Sequence, residues 1–144
     1  EFTCYVKPKG QGSMIPLPGG RMRHGKDVIA TRHAIAAAAL EAGCRPIDGP
    51  VAITVTAYML RGKTVKREYP TVAPDADKLL RLVGDALTGV AYNDDKQIVE
   101  ATVRKLYSDV PRVYVRVEAV NRVDRCEGGE LNEAKARLGN AAVR

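Results

Sequence analysis

Aromatic side chains are scarce in this chain, whose 144 residues include six tyrosines, one phenylalanine and no tryptophan. Tyr58, Tyr69, Tyr92, Tyr107 and Tyr114 alternate with apolar positions or stand beside a group of aspartates, and core packing accounts for most of them. Cysteine is sparse as well. Cys4, Cys44 and Cys126 are odd in number and far apart, which argues against a disulfide framework and a Cys-x-x-Cys metal knot and suits a reducing compartment. No apolar run reaches the roughly 18 residues of a membrane span. No signal-peptide pattern is present, and the opening Glu1-Phe2 reads as a trimmed start. The expectation is a soluble, cytoplasmic protein with no membrane partner and no internal repeat.

Acids are nearly missing from the first part of the chain. Between Phe2 and Leu40 only Asp27 stands against Lys7, Lys9, Arg21, Arg23, Lys26 and Arg32. Much of this charge lies in Lys7 to Lys26, a segment with several Gly and Pro residues that reads as a long loop able to wrap a phosphate backbone. With a net charge of +6 and a pI near 9.4, a polyanion is the default partner. A second basic group, Arg61, Lys63, Lys66 and Arg67, surrounds Gly62 and fits either a phosphate contact or a solvated hairpin tip. His24, in the basic loop, is a candidate phosphate or sugar contact. His33 reads as a packed or partly buried helix residue.

What is present suffices for one core. A length of 144 residues and 45% apolar content fit a single globular domain. Phe2 to Val6 is a strand candidate, and Val28 to Ala42 a helix stopped by Gly43, with apolar residues nearly all round, so that it should pack between a sheet and a partner surface. Val51 to Met59 alternates as a strand bounded by Pro50 and Gly62. Val99, Ala101 and Val103 share one face of a further strand; Val113, Val115, Val117 and Ala119 repeat the pattern, which predicts two half-buried strands joined by a turn near Ser108 to Pro111. The expected class is α+β, a single domain with a mixed or antiparallel sheet and helices on one face. It spans residues 1–120. Residues 121–144 read as a tail, flexible or at most a short helix from Glu130 to Leu138, suited to a dimer or DNA contact.

Five aspartates gather around one short helix: Asp75, Asp77, Asp85, Asp94 and Asp95. Leu79, Val83, Ala86 and Leu87 fall at i, i+4, i+7 and i+8, while Lys78, Arg81, Asp85 and Thr88 line the opposite face. Asp77 is the expected N-cap and Gly89 the residue that ends the helix. Asp75 and Asp77, two apart in an extended approach, point the same way and could grip one ion. Asp94 and Asp95, at the entry to an alternating run, should point to opposite faces, so only one can join them. Hard oxygen ligands without nearby cysteine or histidine suit Mg²⁺ or Mn²⁺ rather than zinc. An Asp-x-Asp before a helix also serves as cap and turn. Asp85 reads as an i, i+4 partner that holds Arg81.

Pro74-Asp75-x-Asp77, a basic residue at Arg81, Asp85-Ala86-Leu87-x-Gly89 and Asp94-Asp95-x-Gln97-Ile98 together resemble the RusA-type Holliday junction resolvases, common in bacteriophages and prophages. The likeness is dense over residues 70–107 and thin over 1–69. It implies a RusA-like fold and an Mg²⁺-dependent endodeoxyribonuclease that resolves four-way junctions, leaving 5′-phosphate and 3′-hydroxyl ends. Position by position, Asp75, Asp77 and Asp95 match the family's metal-binding catalytic aspartates. Arg81 stands where the best-known members have lysine, and Lys78 where many have asparagine. On this resemblance Arg81 would offer its fork of donors to phosphate oxygens. Lys78, with Lys7, Lys9, Arg21, Arg23, Lys26, Lys63, Lys66 and Arg67, would contact DNA. Asp94 is a candidate to stand at or behind the metal ligands, Asp85 stands behind them as the partner of Arg81, and Tyr69 or Tyr92 either packs in the core or flanks the DNA. Symmetric cutting of a four-armed junction needs two active sites, so a two-fold homodimer follows from the implied reaction.

Two other classes compete. The chain could be a DNA-binding module with structural aspartates, which would bind branched DNA and never cut it. Or the Asp-x-Asp could serve a nucleotide-sugar transferase, a reading weakened because no parallel βαβ framework or second lobe is visible in the sequence.

Overall fold

The computed structural model describes residues 1–121; the tail expected at 121–144, with its short helix, lies almost wholly outside the described residues. The elements are β1 (Phe2–Cys4), β2 (Ile15–Pro16), β3 (Met22–Arg23), α1 (Lys26–Glu41), β4 (Val51–Leu60), α2 (Ala76–Leu87), β5 (Ile98–Ser108) and β6 (Arg112–Ala119). A mixed four-stranded sheet runs β1-β6-β4-β5, and β2 and β3 form a separate two-residue ladder inside the basic loop. The α+β class follows, with both helices packed on one face.

β4 is central because its alternation is complete. Val51, Ile53, Val55 and Ala57 are shut away from solvent under the helices, each worth about 1.5–3 kcal/mol where a full aliphatic side chain is buried. β4 pairs in parallel with β5 and antiparallel with β6. The expected hairpin of β5 and β6 is therefore absent, since β4 lies between them. Residues 109–111 cross over it, and three extended residues reach about 10 Å, or two strand spacings. The parallel pair β4 and β5, joined through α2, is a βαβ unit. Alternation cannot distinguish it from a hairpin partner, which is why the sequence showed no such framework.

β5 also departs from expectation as a half-buried strand. The register shifts after Val51, so that Val51 pairs with Ile98 while Ala52 pairs with Glu100. Val99 is the extra residue and is 58% exposed, whereas Ala101 and Val103 keep the helix side opposite Ile53 and Val55. Helix α1 buries Thr31, Ile35 and Ala39 and leaves Ile29 and Leu40 open. Helix α2 buries Leu79, Leu82, Val83, Ala86 and Leu87, a clean 3.6-residue stripe. It ends where Gly89 takes φ +79, a left-handed conformation that costs glycine little. The basic group around Gly62 is not a hairpin tip but part of the loop from β4 to α2.

Candidate functional site

The N-terminus of α2 sits two residues earlier than the spacing suggests. Asp75 is the N-cap residue, with extended backbone and no side-chain cap bond, and Asp77 lies inside the first turn. The two carboxylates therefore leave the helix on different sides rather than in parallel. Asp75 accepts from Lys78 Nζ at 2.8 Å, and that hydrogen bond and charge hold its carboxyl below the usual carboxylate range and Lys78 above its ordinary value. Both line a cavity of about 710 Å³ with Lys7 and Lys9. Lys9 in turn donates to Asp27 at 2.7 Å.

Asp77 faces a second cavity, of about 510 Å³, between α2 and β5. Arg81, Asp85, Asp95, His24 and Gln11 share its wall, with Gly84, Ile98 and Ala101 as the floor. The structure thus brings Asp77, Arg81, Asp85 and Asp95 to one groove, and places Asp75 on the neighbouring one. His24 joins the groove. His33 is exposed rather than packed, because it lies on the solvent side of α1.

Asp85 does not hold Arg81. Its carboxylate is taken by Arg32 and by Gln11 Nε2 at 2.7 Å, and no ion pair of Arg81 occurs among the described residues. Arg81 is left exposed at the groove, its guanidinium available to an anion. Arg32 and Gln11 come from positions 53 and 74 residues away, so local spacing gives no sign of them.

Asp94 and Asp95 do not enter a strand directly. They open a 3-10 turn, Asp95–Gln97, that Asp94 caps by accepting from Lys96 N at 3.0 Å, completing a capping box with Gln97. That backbone bond, with the Lys96 ammonium at 3.1 Å, keeps the Asp94 carboxyl low. Asp95 is released toward the groove. Gln97, quoted above only as part of a pattern, fixes this turn: Oε1 accepts from Asn93 N and Asp94 N at 2.8 and 3.0 Å, and Nε2 donates to Ile47 O and Gly49 O at 2.9 and 2.7 Å. Tyr92, fully buried, donates to Gly84 O at 2.8 Å. Burial, with Asp95 and Asp85 nearby, pushes its phenol far up, so Tyr92 anchors the turn and cannot flank DNA. Tyr69 is exposed.

Among the expected DNA contacts, Lys7, Arg21, Arg23, Lys26, Lys63, Lys66 and Lys78 are exposed and Lys9 half-buried. Arg67 has structural work as well, donating to Tyr107 Oη at 2.9 Å and accepting at its carbonyl from Arg61 at 2.6 Å.

A family model described as endodeoxyribonuclease RusA matches residues 15–118, from the basic loop through β6. The chain belongs to the RusA endodeoxyribonuclease family. A protein of Bacillus subtilis (strain 168), named uncharacterized protein YqaN, is 36% identical over 141 residues, covering 84% of this chain and 96% of that protein. RusA-family proteins are endonucleases that act on branched DNA, and a divalent metal is generally required.

For a RusA-family site the donor chemistry is suitable, but the cage is open. Among the described residues no three His, Cys, Asp or Glu side chains stand close enough to share an ion. The reason is the antiparallel run of α2 against β5. Asp95 lies between Tyr92 and Ile98, both of which meet Gly84, and seven helical residues separate Gly84 from Asp77, about 10 Å. Mg²⁺ needs few protein ligands, keeping several waters and taking one or two carboxylates with substrate phosphates. The open carboxylates of the groove fit that demand.

Proposed function

We propose that this RusA-family chain is an Mg²⁺-dependent, structure-selective endonuclease that cuts four-way DNA junctions as a two-fold homodimer. The observation that carries the reading is the α2–β5 groove, where Asp77, Asp95 and Arg81, which has no ion pair among the described residues, face one space beside a basic loop. Asp77 in the groove would hold the ion directly, with Asp95, and Asp75 at the helix N-terminus, reaching it through its waters. A bound Mg²⁺ would supply an acidified water and would draw charge from the phosphodiester.

The chain's own residues do the rest. Arg81 presents planar donors to the non-bridging oxygens as negative charge builds at phosphorus. Lys78 can leave Asp75 for a phosphate, freeing that carboxylate. The exposed lysines and arginines of the 7–26 loop and the 61–67 loop neutralise the backbone on either side. Water adds to phosphorus and the P–O3′ bond breaks, leaving 5′-phosphate and 3′-hydroxyl ends.

A rival reading, a DNA-binding module that never cuts, draws support from the open spacing of the carboxylates. One experiment separates the two. Labelled four-way junction, replication fork and linear duplex are each incubated with the protein, with and without Mg²⁺. The proposal expects paired nicks on opposing strands of the junction, only with metal, and little cutting of linear duplex. Tight junction binding with no cleavage in Mg²⁺ or Mn²⁺ would leave the binding module.

A further inference from the structure

Gln11 is 3% exposed, the most enclosed polar residue among those described, and it precedes the segment matched to the family. Both ends of its side chain are engaged. Oε1 accepts from Arg32 Nε at 3.0 Å and also from Arg32 Nη2, Nε2 donates to Asp85, and Arg32 closes the triangle by pairing with Asp85. A neutral amide can accept from the guanidinium and donate to the carboxylate at once. Its backbone is tied as well: Gln11 N–H donates to Lys78 O at 3.0 Å. Beside it, a Cβ on Gly10 would lie 2.9 Å from both Lys78 Cβ and Pro74 Cβ, so the loop rests directly on the first turn of α2. This contact sets Lys7 and Lys9 in the wall of the cavity that Asp75 and Lys78 share.

We infer that Gln11 is a positioning residue for DNA: its amide bridges Arg32 and Asp85, locks the basic loop onto α2, and holds Lys7 and Lys9 where they meet phosphates next to the carboxylate groove. The inference rests on the nuclease reading for the path of the DNA. Its effect belongs first to binding, because Gln11, although it stands in the groove wall, spends its amide on Arg32 and Asp85 and makes no hydrogen bond to Arg81 or Asp77 among the described residues.

The test is junction binding by the full chain without divalent metal, measured over a range of salt, together with single-turnover cleavage in Mg²⁺ at saturating protein. Gln11→Ala should weaken binding about tenfold and flatten the plot of log K against log salt by about 1.8, the share of two phosphates. Any fall in the saturated cleavage rate should be smaller than the fall in affinity. Gln11→Glu keeps the acceptor for Arg32 but meets Asp85 with like charge, and should behave as Gln11→Ala does. Adding Asp85→Asn restores the bridge with donor and acceptor exchanged, and should recover the salt slope. A Gln11→Ala protein with wild-type affinity and slope overturns the inference. So does a Gln11→Glu protein that binds as well as the exchanged pair, and this comparison decides the matter if Gln11→Ala fails to fold. A wild type that binds junctions but never cuts them sinks the nuclease reading and leaves the salt-slope result to stand or fall separately.

Discussion

At the scale of single residues, the proposed reaction leans most on Arg81. It stands where the resemblance leads one to expect lysine, and its fork has no acid partner among the described residues. A guanidinium has donors and no acceptor, so in the proposed reaction Arg81 would stabilise charge on the phosphate and not act as a base. Losing one such donor costs about two to three powers of ten in rate. Arg81→Ala should therefore cut junctions more slowly by about that factor in single-turnover assays, with modest loss of binding, while Arg81→Lys keeps most of the rate. An alanine variant as fast as wild type would reduce Arg81 to a surface charge. The residue-scale errors in the sequence reading have physical causes. Spacing on a helix proposes i, i+4 partners, and Asp85 takes Arg32 and Gln11 instead because a long loop folds back over α2. Asp75 and Asp77 both satisfy the sequence rule for an N-cap, and nothing local decides between them.

At the scale of elements, the groove depends on how the 3-10 turn is tied to α2. Tyr92 joins them by a buried hydrogen bond to Gly84 O, and its ring fills the core beside Leu82, Val83 and Leu87. Tyr92→Phe keeps the packing and should lower stability by about 0.5–1.5 kcal/mol in urea unfolding. Tyr92→Ala also opens a cavity and should cost about 3–5 kcal/mol. Equal losses for the two would mean that the hydroxyl, not the ring, holds the turn. The stripe of α2 and the alternation of β4 were legible because each has a buried face with an unbroken period. β5 was less so: a single bulge at Val99 moves its apolar positions, and an edge strand needs less apolar surface to be stable. The pairing of β4 with β5 was not legible at all, since parallel and antiparallel partners share a period of two.

At the scale of the whole molecule, the electrostatic division along the chain becomes a spatial one. Lys7 and Lys9 of the first basic loop stand beside Asp75 and Lys78 at the N-terminus of α2, and Asp77, Asp85 and Asp95 lie along the groove between that helix and β5. A polyanion is drawn to the first and meets the second, an arrangement that suits a metal-loaded site better than an empty one, because bare carboxylates repel the phosphates they are meant to serve. The claim that Asp77 works through a metal and not through DNA affinity therefore separates two quantities that a purely structural aspartate would not. The direct measurement is Asp77→Asn on a labelled four-way junction, with cleavage followed in Mg²⁺ and binding followed without it. The account predicts that cutting is abolished while binding stays equal or becomes tighter, since one negative charge has left the groove. A variant that still cuts near the wild-type rate, or one that loses binding and cutting together, would contradict it.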